Sequence, residues 1–325
     1  MSKFLRIACL VLSIFACSHP TDGASQVCSN LGHCDTVCDE QLCLPQIAPA
    51  SRGGLQPMIE RGTLTSLVGI DGSKQPQDFG ANANFGTALR IAWSAPLSES
   101  HGIGYQIGSR VTFSANAVQV FELLGESKDR FQNFTTVGVF RRSDQGFNFG
   151  VAYDWLSQES FDQFNLSQWR AKASFDITPS VEIGTTLHIA NRSDRGFFNA
   201  EEVQLDPVEQ LNIFVRQHWD TGTVTAFWLG VADRHSEENA VTGTLPPKDN
   251  QLLFGAELFA PLNSWMAIYG QTNLVMPADT GAVDAFLGLE FSARGIRRAH
   301  SRSNRFRPMF AVASSPTFTT DLTRR

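Results

Sequence analysis

The chain has 325 residues, of which 18% are charged and 42% hydrophobic, with 25 Phe, 26 Gly and a net charge of -6. No window reaches the roughly eighteen unbroken apolar residues that a transmembrane helix needs. The blend of aromatic residues, glycine and modest charge suits a β-rich chain, and there is room for one large domain or two ordinary ones.

The first residues carry an export signature. Lys3 and Arg6 form a short positive region, followed by an apolar core over residues 7–16 that is too short to span a bilayer. Residues 1–17 are therefore expected to be a signal peptide, with cleavage allowed as late as residue 24. Residues 14–17 loosely resemble a lipoprotein signal, which makes Cys17 a candidate for lipidation, although Phe15 stands where a smaller residue is usual. Four cysteines then crowd together: Cys28, Cys34, Cys38 and Cys43. In an oxidising compartment their default is disulfide pairing, and four cysteines allow three pairings. With His33 adjacent, zinc is the alternative, but the spacing departs from the paired CxxC arrangement and no metal is expected. Residues 44–62, with Pro45, Pro49, Gly53, Gly54 and Pro57, have the composition of a linker.

From residue 63 a period of two takes over. The clearest run is 145–155, in which Phe147, Phe149, Val151, Tyr153 and Trp155 alternate with Gly146, Asn148, Gly150, Ala152 and Asp154. Successive side chains of a strand point to opposite faces, so one face is large and apolar and the other small or polar. The second face is short on charge and rich in Gly and Ala, as expected inside a narrow closed cylinder. Similar runs occupy 64–71, 84–94, 103–114, 131–141, 169–177, 181–190, 211–219, 223–233, 251–259, 265–275 and 283–291. Tight links at 143–146, 178–180 and 220–222, and short ones at 95–101 and 260–264, alternate with longer segments at 115–130, 157–166, 191–210 and 234–250. That order predicts an all-β, up-and-down antiparallel transmembrane β-barrel of about twelve strands over residues 63–293. Trp93, Trp155, Trp169, Trp219, Trp265 and Tyr105 suit interfacial girdles.

The same parity turns many charges inward. Arg90, Arg110, Arg170, Lys172, Asp176, Glu182, His188, Arg216, Glu257, Asp284 and Glu290 are the candidate lumen-lining residues, with Asp154 beside them. An Arg or Lys facing lipid near the midplane would cost about 2–4 kcal/mol. Inside, two readings stay open: a wet pore whose charges set selectivity, or a plug of ion pairs that rigidifies a closed barrel. No GxSxG, HExxH, P-loop or CxxC pair is present, and His188 points away from the lipid-facing wall that a barrel lipase would use. An enzyme is not expected, nor a cofactor.

Residues 294–325 hold Arg294, Arg297, Arg298, Arg302, Arg305, Arg307, Arg324 and Arg325 against Asp321 alone. The composition predicts either a solvated tail or a periplasmic arm that touches an anionic polymer. Nucleic acid is a poor partner for an exported chain. The expected surroundings are outer-membrane lipid, and the expected state a monomer.

The chain resembles a family of uncharacterised outer-membrane-type barrel proteins of planctomycete-like bacteria. The resemblance spans residues 69–308 and is carried by Gly104-Tyr105-Gln106-Ile107-Gly108, Val118-Gln119-Val120-Phe121, Thr136-Val137-Gly138-Val139-Phe140-Arg141-Arg142 and Arg305-Phe306-Arg307-Pro308. It implies an outer-membrane barrel with a porin-like role in a Gram-negative-type envelope, and it brings no functional residues. A non-conducting adhesion or structural barrel, and a soluble exported β protein, are the alternatives. Porins usually end on an aromatic read by the assembly machinery, whereas this chain continues past Leu289 and Phe291.

Overall fold

The computed structural model describes residues 62–75, 83–116, 125, 128–143, 145–198, 201–233, 235–239, 243–248, 250–276, 282–292 and 294–324. The expected signal peptide, Cys17, and Cys28, Cys34, Cys38 and Cys43 lie outside the described residues.

The strands are β1 (Thr63–Lys74), β2 (Asn84–Ser98), β3 (Ile103–Asn116), β4 (Asp129–Arg142), β5 (Phe147–Glu159), β6 (Gln163–Asp176), β7 (Val181–Arg192), β8 (Asp194–Phe198), β9 (Glu201–Pro207), β10 (Gln210–His218), β11 (Val224–Ala232), β12 (His235–Asn239), β13 (Gly243–Lys248), β14 (Gln251–Pro261), β15 (Met266–Val275), β16 (Val283–Phe291) and β17 (Thr320–Arg324). Twelve of them close a barrel in the order β1-β2-β3-β4-β5-β6-β7-β10-β11-β14-β15-β16, and β1 pairs antiparallel with β16 from Ser66↔Phe291 to Lys74↔Val283. Closure leaves no strand edge unpaired, which a bilayer interior requires.

Alternation decides which side each residue meets. On β5, Phe149, Val151 and Trp155 face out, while Asn148, Gly150, Ala152, Asp154 and Leu156 are buried inside. The same holds around the wall, where Ile70, Ile107, Val139, Ile213, Phe227 and Leu287 stand exposed on the outside. A continuous apolar belt of this kind exceeds what a water-soluble monomer tolerates and fits a lipid-facing wall. Aromatic pairs mark both ends of the belt: Trp93 with Tyr105 at 5.2 Å and Trp265 with Phe291 at 5.7 Å at one end, and Tyr153 with Trp169 at 4.8 Å at the other.

Thr63 and Phe291 lie at the same rim, here called the near rim. Its five links are tight, and three of them turn on Gly102 (φ 64°), Gly146 (φ 84°) and Gly222 (φ 84°), a backbone region that side chains disfavour. At the far rim the connections differ from expectation in two ways. Residues 191–210 hold the hairpin β8–β9, and 234–250 hold the hairpin β12–β13. The expected long loop at 157–166 is instead strand: β5 and β6 pair through to Glu159↔Gln163. Beyond Trp155 and Trp169 the pattern inverts, with Phe164 and Leu166 buried inside and Gln163 and Glu159 exposed outside. The wall there has passed the apolar belt, so its outer face is polar.

Candidate functional site: the lumen and the segment that fills it

The inner wall is a set of ion pairs spread from strand to strand. Arg110, 2% exposed, pairs with Asp71 of β1 and lies 4.2 Å from the centre of the Phe286 ring. Arg90 meets Glu290 at 2.9 Å, and the other oxygen of that carboxylate lies 2.9 Å from His300 Nε2. Arg170 donates to Asp154 at 2.7 Å, while Thr136 (2.7 Å) and Gln168 (2.9 Å) donate to the same carboxylate. Arg216 bridges Glu182 at 3.3 Å and Glu257 at 3.4 Å, and Tyr269 donates to Glu257 at 3.3 Å. Gln75 donates to Asp284 at 3.0 Å. Sharing each carboxylate among several donors is what makes ionised groups tolerable away from bulk water.

The lumen is not empty. After β16 the chain forms a short helix, α1 (Ile296–His300), whose Ile296 is buried and whose first amide donates to Ser264 O at 2.8 Å. Arg302 then pairs with Asp176 at 2.5 Å on the near rim, and Asn304 donates to Thr63 Oγ1 at 3.0 Å. From Phe306 the segment climbs inside the barrel. Ser94 donates to Phe306 O (2.7 Å) and Arg142 to Pro308 O (3.2 Å). Gln106 makes three bonds at once: its Oε1 accepts from the amides of Met309 (2.9 Å) and Phe310 (3.0 Å), and its Nε2 donates to Phe310 O (2.9 Å). Higher up, Arg170 donates to Ala311 O (2.8 Å), Ala313 N to Thr136 Oγ1 (2.9 Å) and Gln168 to Thr317 O (2.9 Å). An extended segment inside a barrel has no ladder of its own, so wall side chains supply the partners its backbone needs.

Small wall residues make the room. A Cβ added at Gly108 would come within 2.4 Å of Val312 Cγ2, and one at Gly150 within 3.0 Å of Met309 Sδ. At the far rim the segment ends on an apolar seal. Ala313, Phe318 and Leu322 pack with inward-facing Phe134, Leu156, Phe164 and Leu166 and with Phe198, Val203 and Leu205 of the β8–β9 hairpin. β17 then adds to that hairpin beside β9, with Leu322 opposite Leu205 and Thr320 opposite Pro207, giving a three-stranded sheet.

Of the sequence candidates, Arg90, Arg110, Arg170, Lys172, Glu182, His188, Asp284 and Glu290 are buried on the inner wall, and Arg216, Glu257 and Asp176 are partly buried there, Asp176 at the near rim. They do not form one centre but separate pairs, and His188 and Lys172 stand apart from the ion pairs. Residues 294–324 correct the expectation of a solvated tail: Arg302 is spent on Asp176, Arg307 is buried, and Val312–Leu322 is buried throughout. Sequence reasoning missed Asp71, Arg130 and Arg142 as lumen groups, and it placed Gln106 on the inward face without its role in holding the segment. A signal existed for the plug itself. Phe134, Phe140, Leu156, Phe164, Phe214 and Phe286 share the inward parity, and large apolar groups on the inside of a barrel need something to pack against.

A closed twelve-stranded membrane β-barrel of the outer-membrane type, occupied by its own C-terminal segment, is thus the class that the geometry defines. Residues 63–320 match the model of a family of unknown function, DUF6666, and the chain belongs to that family. No curated protein matches its sequence. Among solved structures it is similar to the KdgM porin (9% identity, 70% of this chain and 98% of that one, TM-score 0.41). It is also similar to the translocator domain of the autotransporter NalP from Neisseria meningitidis (11%, 71% and 87%, 0.41) and to the toluene transporter TbuX from Ralstonia pickettii (8%, 72% and 90%, 0.43). Likeness at these levels carries no argument, and the barrel rests on its own strand ladder.

Proposed function

We propose that the protein is a monomeric outer-membrane barrel held shut by its own C-terminal segment, and that small solutes pass only when that segment leaves the lumen. The tight-turn rim is periplasmic and the hairpin-bearing rim external, in line with the short-inside, long-outside habit of such barrels. One observation carries the reading: Phe306–Leu322 runs from the near rim to the far rim through the space a solute would need, bonded to the wall at Ser94, Gln106, Thr136, Gln168 and Arg170. The wall ion pairs are then the lining that an unplugged state would present. Among the described residues, Arg297 and Arg298, exposed on α1, are cations open to a periplasmic anionic polymer.

The test is single-channel recording in a planar bilayer. The full chain is expected to be silent or to open rarely, and a chain ending at Arg305 to give stable conductance steps while keeping a heat-modifiable barrel. A truncated barrel that folds and stays silent would favour the non-conducting alternative, in which the sheet of β8, β9 and β17 is a surface displayed outward.

A further inference from the structure

The wall pairs account for most buried charge but leave three cations over. Arg142, Lys172 and Arg307 are 6%, 7% and 8% exposed. Among the described residues none of them has a carboxylate in ion-pair contact: Arg142 donates to Pro308 O at 3.2 Å, Arg307 donates to His300 O at 3.3 Å, and the Lys172 ammonium sits 4.5 Å from the centre of the Phe214 ring. The carboxylates nearby are already engaged, Glu182 and Glu257 by Arg216 and Asp176 by Arg302. With the Arg90–Glu290 pair of the same cavity counted, six cations share four carboxylates in the near half of the lumen, an excess of two positive charges in a place where unpaired charge is costly.

The leftover cations are grouped. Arg142 of β4 lies opposite Asn148, which lies opposite Ser174, and Lys172 is the next inward residue along β6. Ser174 Oγ, between them, is buried without a partner, as are His188 Nδ1 and Gln210 Nε2, whose residues face segment residues Pro316 and Thr317 across the second of two cavities. These cavities, of about 100 and 90 Å³, adjoin at Arg216, Glu257 and Met309–Ala311, the first lined by Arg142 and Arg307 and the second by Lys172. Each is several times the roughly 10–15 Å³ that one water needs. His188 and Gln210, with polar atoms buried and without partners beside this open space, call for an occupant.

We propose that this half of the lumen binds a small tetrahedral dianion of the phosphate or sulfate class, held by Arg142 and Lys172 of the wall and Arg307 of the plug. The inference rests on the plugged reading above, and it makes the plug ligand-dependent. Because Arg307 leaves with the segment, the site is complete only in the closed state, so the anion favours closure by mass action.

The full chain is refolded from denaturant in phospholipid-free detergent and titrated with inorganic phosphate at fixed ionic strength, following the midpoint of heat-induced barrel unfolding. The expected result is a saturable rise, reproduced by sulfate and not by extra chloride. Lys172→Met and Arg142→Gln should each weaken half-saturation by about 10–100-fold, the loss of one charge-assisted hydrogen bond. In chloride alone Lys172→Met should unfold no earlier than the parent, since an uncompensated buried charge has been removed, and this reading stands even if other variants fold poorly. A rise equal in chloride and phosphate, variants that respond like the parent, or a response only on adding phospholipid would each overturn the site. Protease digestion separates the two proposals. A protected segment with no phosphate response sinks the anion site alone, and a readily cleaved segment sinks the plug and the site together.

Discussion

Phe318→Ala probes the seal at the far rim. Phe318 is 1% exposed, its ring lies 6.1 Å from that of Phe134, and it belongs to a cluster with Leu156, Phe164, Leu166, Leu205 and Leu322. Truncating a buried Phe to Ala typically costs about 3–5 kcal/mol, as lost transfer energy plus an unfilled cavity. The wall strands are held by their own ladders, so the cost falls mainly on docking of the segment rather than on closure of the barrel. At about 1.4 kcal/mol per factor of ten, the docked-to-undocked ratio should fall by about two to three and a half orders of magnitude. Native-state hydrogen exchange read by mass spectrometry resolves this, because exchange of amides in 308–322 tracks the local opening constant. Exchange there should accelerate by that factor while β2–β6 peptides hold their rates. Unchanged exchange in 308–322, or equal acceleration across the wall, would refute the separation of plug from barrel.

Two further outcomes test the wall. Asp71→Asn leaves Arg110 buried without its carboxylate and should destabilise the barrel by about 3–5 kcal/mol in urea unfolding followed by Trp fluorescence, whereas replacing both Asp71 and Arg110 by Leu should recover much of the loss. A single variant as stable as the parent would count against the pair. Val151→Arg, on the lipid-facing side of β5, should cost about 2–4 kcal/mol when folding is measured in lipid vesicles, and equal stability would show that Val151 does not face lipid.

All twelve barrel strands were legible in the sequence, because a bilayer outside and a narrow lumen inside impose opposite chemistry on alternate residues. The code failed where those two media end. At 157–166 the outside is no longer lipid, so Phe164 and Leu166 turn inward and the run loses the parity that marks a membrane strand. Gln106 was visible only as an inward polar residue, since nothing local indicates that its amide will bind a chain two hundred positions away. The C-terminal segment was misjudged because its arginines dominate its composition. They lie in 294–307 and 324–325, while 308–323 carries one charge, Asp321, and four of its large apolar groups, Met309, Phe310, Phe318 and Leu322, are buried. Averaged over thirty residues, the arginines hid an apolar stretch suited to a lumen.

The pairing of β17 with β9 has a consequence for how the molecule is made. The chain leaves β16 at one rim and finishes at the other, so its end either is drawn through a ring already closed or is laid in place before β1 and β16 meet. In the first case residues 308–322 cross the ring as extended chain, and in the second the β1–β16 ladder closes around them. The route decides whether the segment or the closing ladder is the last part of the molecule to form.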